Sequence, residues 1–181
     1  HVSPPTIPDP AATPPWETVR ELTRANELTA DVEAGEFNFA SPHIKPDASF
    51  AAFAVESFKP RRPILAAAKD LNTRIFKTFK FDPSATDVAT PVEKAFEEKR
   101  GVCQDFAHVL IACLRSIGLP ARYVSGYLET LPPPGKPKRF GGWSPDMGVG
   151  ACTVCVQALR KDASNSRSTQ SSSLRVMMPM K

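Results

Sequence analysis

Four cysteines and three histidines are the side chains of this sequence with the clearest potential for nucleophilic or metal chemistry. Cys103 follows Arg100-Gly101-Val102 and opens a predicted helix, where unpaired backbone N–H groups and the helix dipole stabilise a thiolate. Such a cysteine suits acyl transfer, and Gly101 would let a substrate carbonyl approach the backbone closely. The alternative for Cys103 is a structural role as a small buried side chain.

The remaining chemical groups give weaker signals. Cys152 and Cys155 form a Cys-x-x-Cys pair, but a zinc site needs two more ligands and no thioredoxin-like βαβ pattern surrounds a redox pair. His108 lies more than one helical turn beyond Cys103, so we expect a core or supporting histidine and not the general base. We expect Asp105 to complement the helix dipole, not to act as an acid. Cys103 is therefore the predicted catalytic residue, with no metal and no cofactor.

Periodicity predicts the elements that must position Cys103. Apolar residues recur at helical spacing after it, and Gly118 stands where a left-handed helix end favours glycine. Thr90, with Pro91 and Glu93, has the pattern of a capping box. The helices are predicted over residues 16–26, 47–58, 64–79, 91–99 and 103–117. Strands are predicted over residues 121–129 and, in the last part of the chain, only over 151–159.

The chain of 181 residues divides by composition into three parts. Residues 1–15 contain six prolines and are predicted to be a proline-rich linker, which suggests a further segment upstream. Residues 16–140 are the predicted core domain. Residues 141–181 lose periodicity, become basic and are rich in Ser, which predicts a poorly ordered tail.

Charge and hydropathy exclude several classes of function. The net charge is +4, with the excess in the C-terminal part, which has neither interleaved aromatic residues nor a dense basic run, so nucleic-acid binding is not expected. No apolar stretch approaches the ~20 residues of a membrane span, and we expect no membrane partner. No signal-peptide pattern opens the chain, so a cytoplasmic location is expected.

The segment over residues 100–130, RGVCQDFAHVLIACLRSIGLPARYVSGYLET, resembles the core of the transglutaminase-like superfamily. Because relatives usually carry a β-rich domain before this core, the resemblance implies that residues 1–15 are the linker from a missing N-terminal β-rich domain. The resemblance extends upstream through TPPWETVR, SFKPRRP and RIFKTFKFDPSAT. It implies an α+β, papain-like fold, in which a helical half carries the cysteine on a helix packed against an antiparallel sheet. It also implies that Cys103 is the nucleophile of a Cys-His-Asp triad that attacks a carboxamide or peptide carbonyl and forms a thioester.

The sequence departs from the family where the triad should be completed. The resemblance implies a histidine after the PPPG loop and an aspartate in an Asp-Pro-Thr motif, yet no histidine follows His108 and no such motif occurs. An adjacent reading frame could restore a family-like strand, which suggests a frameshift or an incorrect splice assignment near residues 138–146. Because the family strands that should follow the strand over residues 121–129 are missing from the written sequence, the antiparallel sheet is expected to be incomplete.

We accordingly predict a transglutaminase-like cysteine acyl-transfer domain of peptidase, amidase or cross-linking type. Its expected partner is a peptide or protein substrate, and turnover is expected to be impaired because the partner His and Asp are absent. Two alternatives stay open: an inactive scaffold of the same fold that binds peptides or protein partners, and a metal module built on the Cys-x-x-Cys pair.

Overall fold

The structure is a computed structural model that describes residues 9–25, 35–87, 89–124, 153–157 and 173–177. The α-helices described with their bounds are α1 (Trp16–Arg24), α2 (Ala48–Val55), α3 (Ile64–Thr78), α4 (Val92–Glu98) and α5 (Cys103–Ser116). The strands are β1 (Lys80–Phe81), β2 (Arg100–Gly101), β3 (Ala121–Val124), β4 (Thr153–Gln157) and β5 (Ser173–Met177).

Helix α5 is the centre of the core. Its sequence predicts a single apolar stripe, but the helix is buried on nearly every side, since Val109, Ile111 and Ala112 are as inaccessible as Leu110. A helix that is apolar all round must be covered all round. Helices α2, α3 and α4 and strand β3 provide that cover.

Helix α5 begins with a cysteine and ends at a glycine. Its first residue is Cys103, preceded by the extended N-cap residue Val102. At the other end, Gly118 has a φ of +81°, and the N–H of Leu119 returns to the carbonyl of Leu114 at 3.0 Å. The predicted glycine-terminated helix end is confirmed.

Helix α3 buries a continuous face against α5. Its inaccessible apolar residues follow the predicted helical spacing: Ile64, Leu65, Ala67, Ala68, Leu71 and Ile75. Helix α2 begins after Asp47, whose carboxylate accepts the Ser49 N–H at 2.6 Å, as an N-cap residue does.

The start of α4 differs from the prediction. Pro91 is its N-cap residue, and no side chain caps the helix. The Thr90 hydroxyl does not form the predicted capping box. It donates instead to the carboxylate of Asp87 at 2.9 Å and accepts the Asp87 N–H at 2.9 Å. The local turn competes with the helix for the same hydroxyl group.

Residues 9–15, within the segment predicted as a linker, contact the helical body. Pro10–Ala12 form a 3-10 turn, the N–H of Ile64 donates to the carbonyl of Pro14 at 2.9 Å, and the N–H of Leu65 donates to the hydroxyl of Thr13 at 3.2 Å. These bonds fix the entry into α3. A β-rich domain preceding residue 1 stays a prediction.

Two small sheets accompany the helices. Strands β1 and β2 pair in parallel, whereas β3, β4 and β5 form an antiparallel sheet in that order. Helix α5 packs on β3 and β4. Strand β4 lies within the predicted strand over residues 151–159, and β5 is a strand that the sequence analysis did not predict. Its register on β4 runs from Thr153 opposite Met177 to Gln157 opposite Ser173.

Candidate active site

Cys103 lies where the sequence places it, at the first position of a 14-residue helix. The side chain is 9% exposed, so it stands at the boundary between the core and the surface. The first backbone N–H groups of a helix have no partner inside the helix and carry the positive end of its dipole. This position favours negative charge on a thiol or on a developing oxyanion.

The strand pair β1–β2 fixes the chain immediately before Cys103. The N–H of Lys80 donates to the carbonyl of Lys99 at 2.8 Å, and the N–H of Asp82 donates to the carbonyl of Gly101 at 2.9 Å. Gly101 has a φ of +153°, in the region that favours glycine. The backbone therefore reaches Cys103 in a single defined conformation.

Gly101 is required for a reason that the sequence did not show. A Cβ at this position would lie 2.5 Å from Oδ2 of Asp105, closer than atoms can approach. From the sequence alone, Gly101 is explained by the close approach of a substrate carbonyl. In the structure, the carboxylate of Asp105 occupies the space that a side chain at position 101 would need.

Asp105 acts as the cap of the turn before Cys103. The side chain is 7% exposed, and its Oδ2 accepts the N–H of Val102 at 2.7 Å and the hydroxyl of Thr86 at 2.6 Å. Both distances are short, as expected for hydrogen bonds to a carboxylate. These bonds give Asp105 a structural part in the first turn, in line with the expected dipole role.

His108 belongs to a small aromatic stack on the flank of α5. Its ring lies parallel to that of His43, with centroids 6.0 Å apart, and meets the ring of Tyr123 at 60° and 5.7 Å. Burial lowers the pKa of His108, the neighbouring His43 lowers it further, and Asp105 raises it. The neutral imidazole is therefore favoured. His43 carries no signal of its own in the sequence, because no local pattern links the two histidines.

Cys113 is the second thiol of α5 and lies in the core. It is fully buried, and this burial raises its pKa to about 12. A thiol with so high a pKa stays protonated at neutral pH and is a poor nucleophile. The two thiols on one helix therefore occupy opposite environments.

A lysine and a group of phenylalanines close the core beside Cys113. The ammonium of Lys99 lies 3.2 Å from the ring centroid of Phe96, 5.0 Å from that of Phe79 and 5.2 Å from that of Phe53. Burial lowers the pKa of Lys99. Lys99 itself adopts a left-handed conformation with a φ of +52°, which ends α4 and turns the chain into β2.

Thr86 is the site residue that sequence reasoning missed. It lies in the irregular segment after β1, where no periodic pattern assigns a role to a single hydroxyl. By contrast, the nearby Asp82-Pro83-Ser84 segment has residues typical of a turn after a helix. The Asp82 carboxylate accepts both the N–H and the hydroxyl of Ser84. The contact between Thr86 and Asp105 spans 19 residues of sequence and could be found only in three dimensions.

Other sequence-predicted groups lie outside the described residues. These are Cys152, the side chain of Cys155 and the part of the chain over residues 125–152 in which the family histidine was expected. Strand β4, the described neighbour of β3, contains no histidine in its sequence Thr-Val-Cys-Val-Gln. Within the described parts of the chain, no three His, Cys, Asp or Glu side chains are grouped to hold a metal ion. Among the described helices, none combines the length and apolar character that a membrane span requires.

The comparisons with known proteins place the chain in a family. The sequence model of the transglutaminase-like superfamily matches residues 51–159, which include α5 and β3 and extend through β4. The chain belongs to the transglutaminase-like superfamily, and the resemblance found in its sequence is confirmed.

Similar whole proteins are larger than this chain. Uncharacterized proteins of Mycobacterium tuberculosis and Mycobacterium bovis are each 40% identical over 131 residues, which cover 70% of this chain and 39% of each relative. An uncharacterized protein of Mycobacterium leprae is 41% identical over 74 residues, covering 41% of this chain and 25% of that protein. The chain thus spans about two fifths, or less, of the length of these curated relatives.

A solved structure supports the fold. The crystal structure of a putative cysteine protease from Cytophaga hutchinsonii has a TM-score of 0.50 and 27% sequence identity, with 57% of this chain and 35% of that chain covered. The predicted α+β, papain/transglutaminase-like fold class is confirmed. Family and neighbour together support a function based on a cysteine.

Proposed function

We propose that this chain is a cysteine acyl-transfer domain of peptidase, amidase or cross-linking type, with Cys103 as the nucleophile and a peptide or protein carboxamide as the substrate. The observation that carries the proposal is the position of Cys103 at the first residue of α5, in a turn that Gly101 and Asp105 fix. Membership of the transglutaminase-like superfamily supports the same assignment.

The reaction begins when the thiolate of Cys103 attacks the substrate carbonyl carbon. A C–S bond forms, and the electron pair of the C=O bond moves to oxygen, where the first N–H groups of α5 would stabilise the oxyanion. Collapse of this intermediate breaks the C–N bond and leaves a thioester. The amine leaves with a proton, and water or a second amine then attacks the thioester and regenerates the thiol.

We further propose that turnover of amides is impaired in this chain. The leaving amine must receive a proton as the C–N bond breaks, and a histidine supplies it in a Cys-His pair. The sequence has histidines only at positions 1, 43 and 108. His108 stands more than one turn along α5 from Cys103, with its ring stacked on His43. A substrate whose leaving group needs no proton avoids this requirement.

The test is a burst experiment with 4-nitrophenyl acetate. Cys152 and Cys155 are first replaced by Ser, so that only the two thiols of α5 remain. We expect about one equivalent of nitrophenolate to be released rapidly, followed by a slow phase, because acylation needs no proton donor and deacylation lacks a base. Cys113→Ala should keep the burst, and Cys103→Ala should lose it.

Two results would contradict the proposal in different ways. A burst that persists in Cys103→Ala would remove Cys103 as the nucleophile. Steady turnover of a 4-nitroanilide, an amide whose cleavage releases the coloured 4-nitroaniline, would contradict the impairment and show that another group protonates the leaving amine.

The second candidate function is a binding scaffold without catalysis. The absence of any histidine after residue 108 favours it, because a lost base leaves selection acting only on the fold and its surface. In that case Cys103 should react with iodoacetamide no faster than an unactivated thiol, and no burst should occur. A rapid, stoichiometric reaction at Cys103 favours the catalytic proposal.

A further inference from the structure

We propose that Thr86 is a positioning residue for Cys103, acting through Asp105 to set the angle and the electrostatic environment in which the thiol starts α5. This inference rests on the proposed function of Cys103. It adds a residue from a different segment of the chain, one that belongs neither to the turn Gly101-Val102-Cys103 nor to the expected Cys-His-Asp triad.

The geometry is a convergence of two donors on one oxygen. The Thr86 hydroxyl at 2.6 Å and the Val102 N–H at 2.7 Å both point at Oδ2 of Asp105. The absence of a side chain at Gly101 makes room for that oxygen. A hydroxyl has one proton to donate, so the contact consumes the donor capacity of Thr86 in this single bond.

The bond to Val102 determines where Cys103 begins. Val102 is the N-cap residue, and its N–H belongs to the peptide that joins it to Gly101. Holding this N–H fixes the plane of that peptide and therefore the direction in which the next residue, Cys103, leaves the turn. If the carboxylate of Asp105 rotates, the peptide loses its restraint.

The bond from Thr86 has an electrostatic consequence as well. Asp105 lies two residues from Cys103 and has little contact with water, at 7% exposure. A negative charge near a thiol opposes the formation of a second negative charge on it. The Thr86 hydroxyl draws part of the carboxylate charge toward itself, so its loss should make the thiolate harder to form.

The loop that carries Thr86 is anchored at both sides. Asp82 accepts two hydrogen bonds from Ser84 and pairs with Arg100 at 3.9 Å, whereas Asp87 and Thr90 exchange two bonds of their own. The loop is thus built to present Thr86, and Thr90 belongs to its anchor. Thr73 offers a matched hydroxyl outside the loop, since it is exposed on α3 and donates to the carbonyl of Lys69 at 2.9 Å.

The experiment compares Thr86→Val, Thr86→Ser and Thr73→Val in the chain that lacks Cys152 and Cys155. The rate of Cys103 alkylation by iodoacetamide is measured from pH 5 to pH 10, and the nitrophenyl acetate burst is measured beside it. Thr86→Val should slow both reactions at pH 7 roughly three- to tenfold and move the midpoint of the pH profile upward. Thr86→Ser and Thr73→Val should match the parent chain.

A second measurement separates positioning from loss of fold. Amide hydrogen exchange at Val102 should accelerate in Thr86→Val while the exchange of core amides in α5 stays unchanged. In an Asp105→Ala background, Thr86→Val should add no further change to the profile, because its route to Cys103 has been removed.

The outcomes are distinguishable from failure of the proposed function. Absence of a burst in the parent chain refutes the catalytic assignment, yet the pH profile and Val102 exchange still test the coupling. The inference is overturned if Thr86→Val behaves as Thr73→Val does. It is also overturned if Thr86→Val shows equal effects with and without Asp105, or if Thr86→Ser fails to restore the parent profile.

Discussion

Replacing Gly101 by Ala tests the packing that fixes the start of α5. The new Cβ would stand 2.5 Å from Oδ2 and 3.0 Å from Cγ of Asp105, well inside van der Waals contact. The backbone φ of +153° adds conformational strain, because residues with a Cβ avoid this region. Either the carboxylate or the turn must move.

The cost follows from the contacts that this movement breaks. Strain at a sparsely populated backbone conformation costs about 1–3 kcal/mol. A displaced carboxylate leaves the Thr86 hydroxyl and the Val102 N–H without their acceptor, at about 1–3 kcal/mol for a buried group. Summed over the strained backbone and the two groups left without an acceptor, the free energy of unfolding should fall by roughly 3–9 kcal/mol, which is a large part of the ~5–15 kcal/mol that holds a typical domain together.

The assay is urea unfolding of Gly101→Ala beside Gly118→Ala. Gly118 also has a positive φ, +81°, but a Cβ there meets the flexible side chains of Arg20, at 3.3 Å, and Arg24, at 3.7 Å. The control should therefore lose only about 1–2 kcal/mol from strain. Asp105→Ala added to Gly101→Ala relieves the clash, so the double variant should be more stable than the sum of the single effects predicts, by at least about 1 kcal/mol.

Two outcomes would refute the reasoning about Gly101. Equal losses for the two glycine variants would mean that the Asp105 contact contributes nothing beyond backbone strain. Strict additivity with Asp105→Ala would mean that the two residues do not compete for space.

Four further predictions follow from the described residues and the reading frame. Burial lowers the pKa of His108 below its ordinary 6.5, so the unfolded chain binds the proton first as the pH falls. The free energy of unfolding should therefore be at its full value above pH 6.5 and decline below it. Urea unfolding of His108→Gln should show a weaker decline, and a decline equal to that of the parent chain contradicts this prediction. Leu110→Ala should cost about 2–5 kcal/mol by thermal or urea unfolding, whereas the exposed Val55→Ala should change little. Lys99→Ala should lose about 0.5–2 kcal/mol of cation–π and packing energy in the same assay, and an unchanged midpoint would show that the ring contacts contribute nothing net. Sequencing of source DNA and transcript across codons 135–181 should show an adjacent frame encoding His-x-Trp and Asp-Pro-Thr, and confirmation of the written frame without such motifs refutes the frameshift.

The sequence predicted best those elements whose position is set by one short local pattern. The amphipathic spacing of α3, the Asp47 cap of α2 and the glycine after α5 each depend on residues a few positions apart. The start of α5 at Cys103 is of the same local kind, strengthened by the family resemblance. Elements of this kind are determined by neighbours within one or two turns.

The remaining features depend on contacts that cross long stretches of sequence. The burial of α5 on all sides requires knowledge of which helices surround it. The bond from Thr86 to Asp105 and the stacking of His43 on His108 join segments 19 and 65 residues apart. The predicted capping box at Thr90 was wrong for a different reason. The Thr90 hydroxyl forms its hydrogen bonds in a local turn with Asp87 and not at the start of α4.

The placement of two thiols on one helix also makes α5 a built-in reporter of its own opening. Cys103 and Cys113 lie ten residues apart, or about 15 Å along the helix axis. A reagent reaches the first at the edge of the native structure, but it reaches the second only when the core separates around it. The labelling rate of Cys113 in the native chain, relative to its rate in the unfolded chain, therefore gives a free energy of local unfolding, while Cys103 reports on the native surface of the same helix.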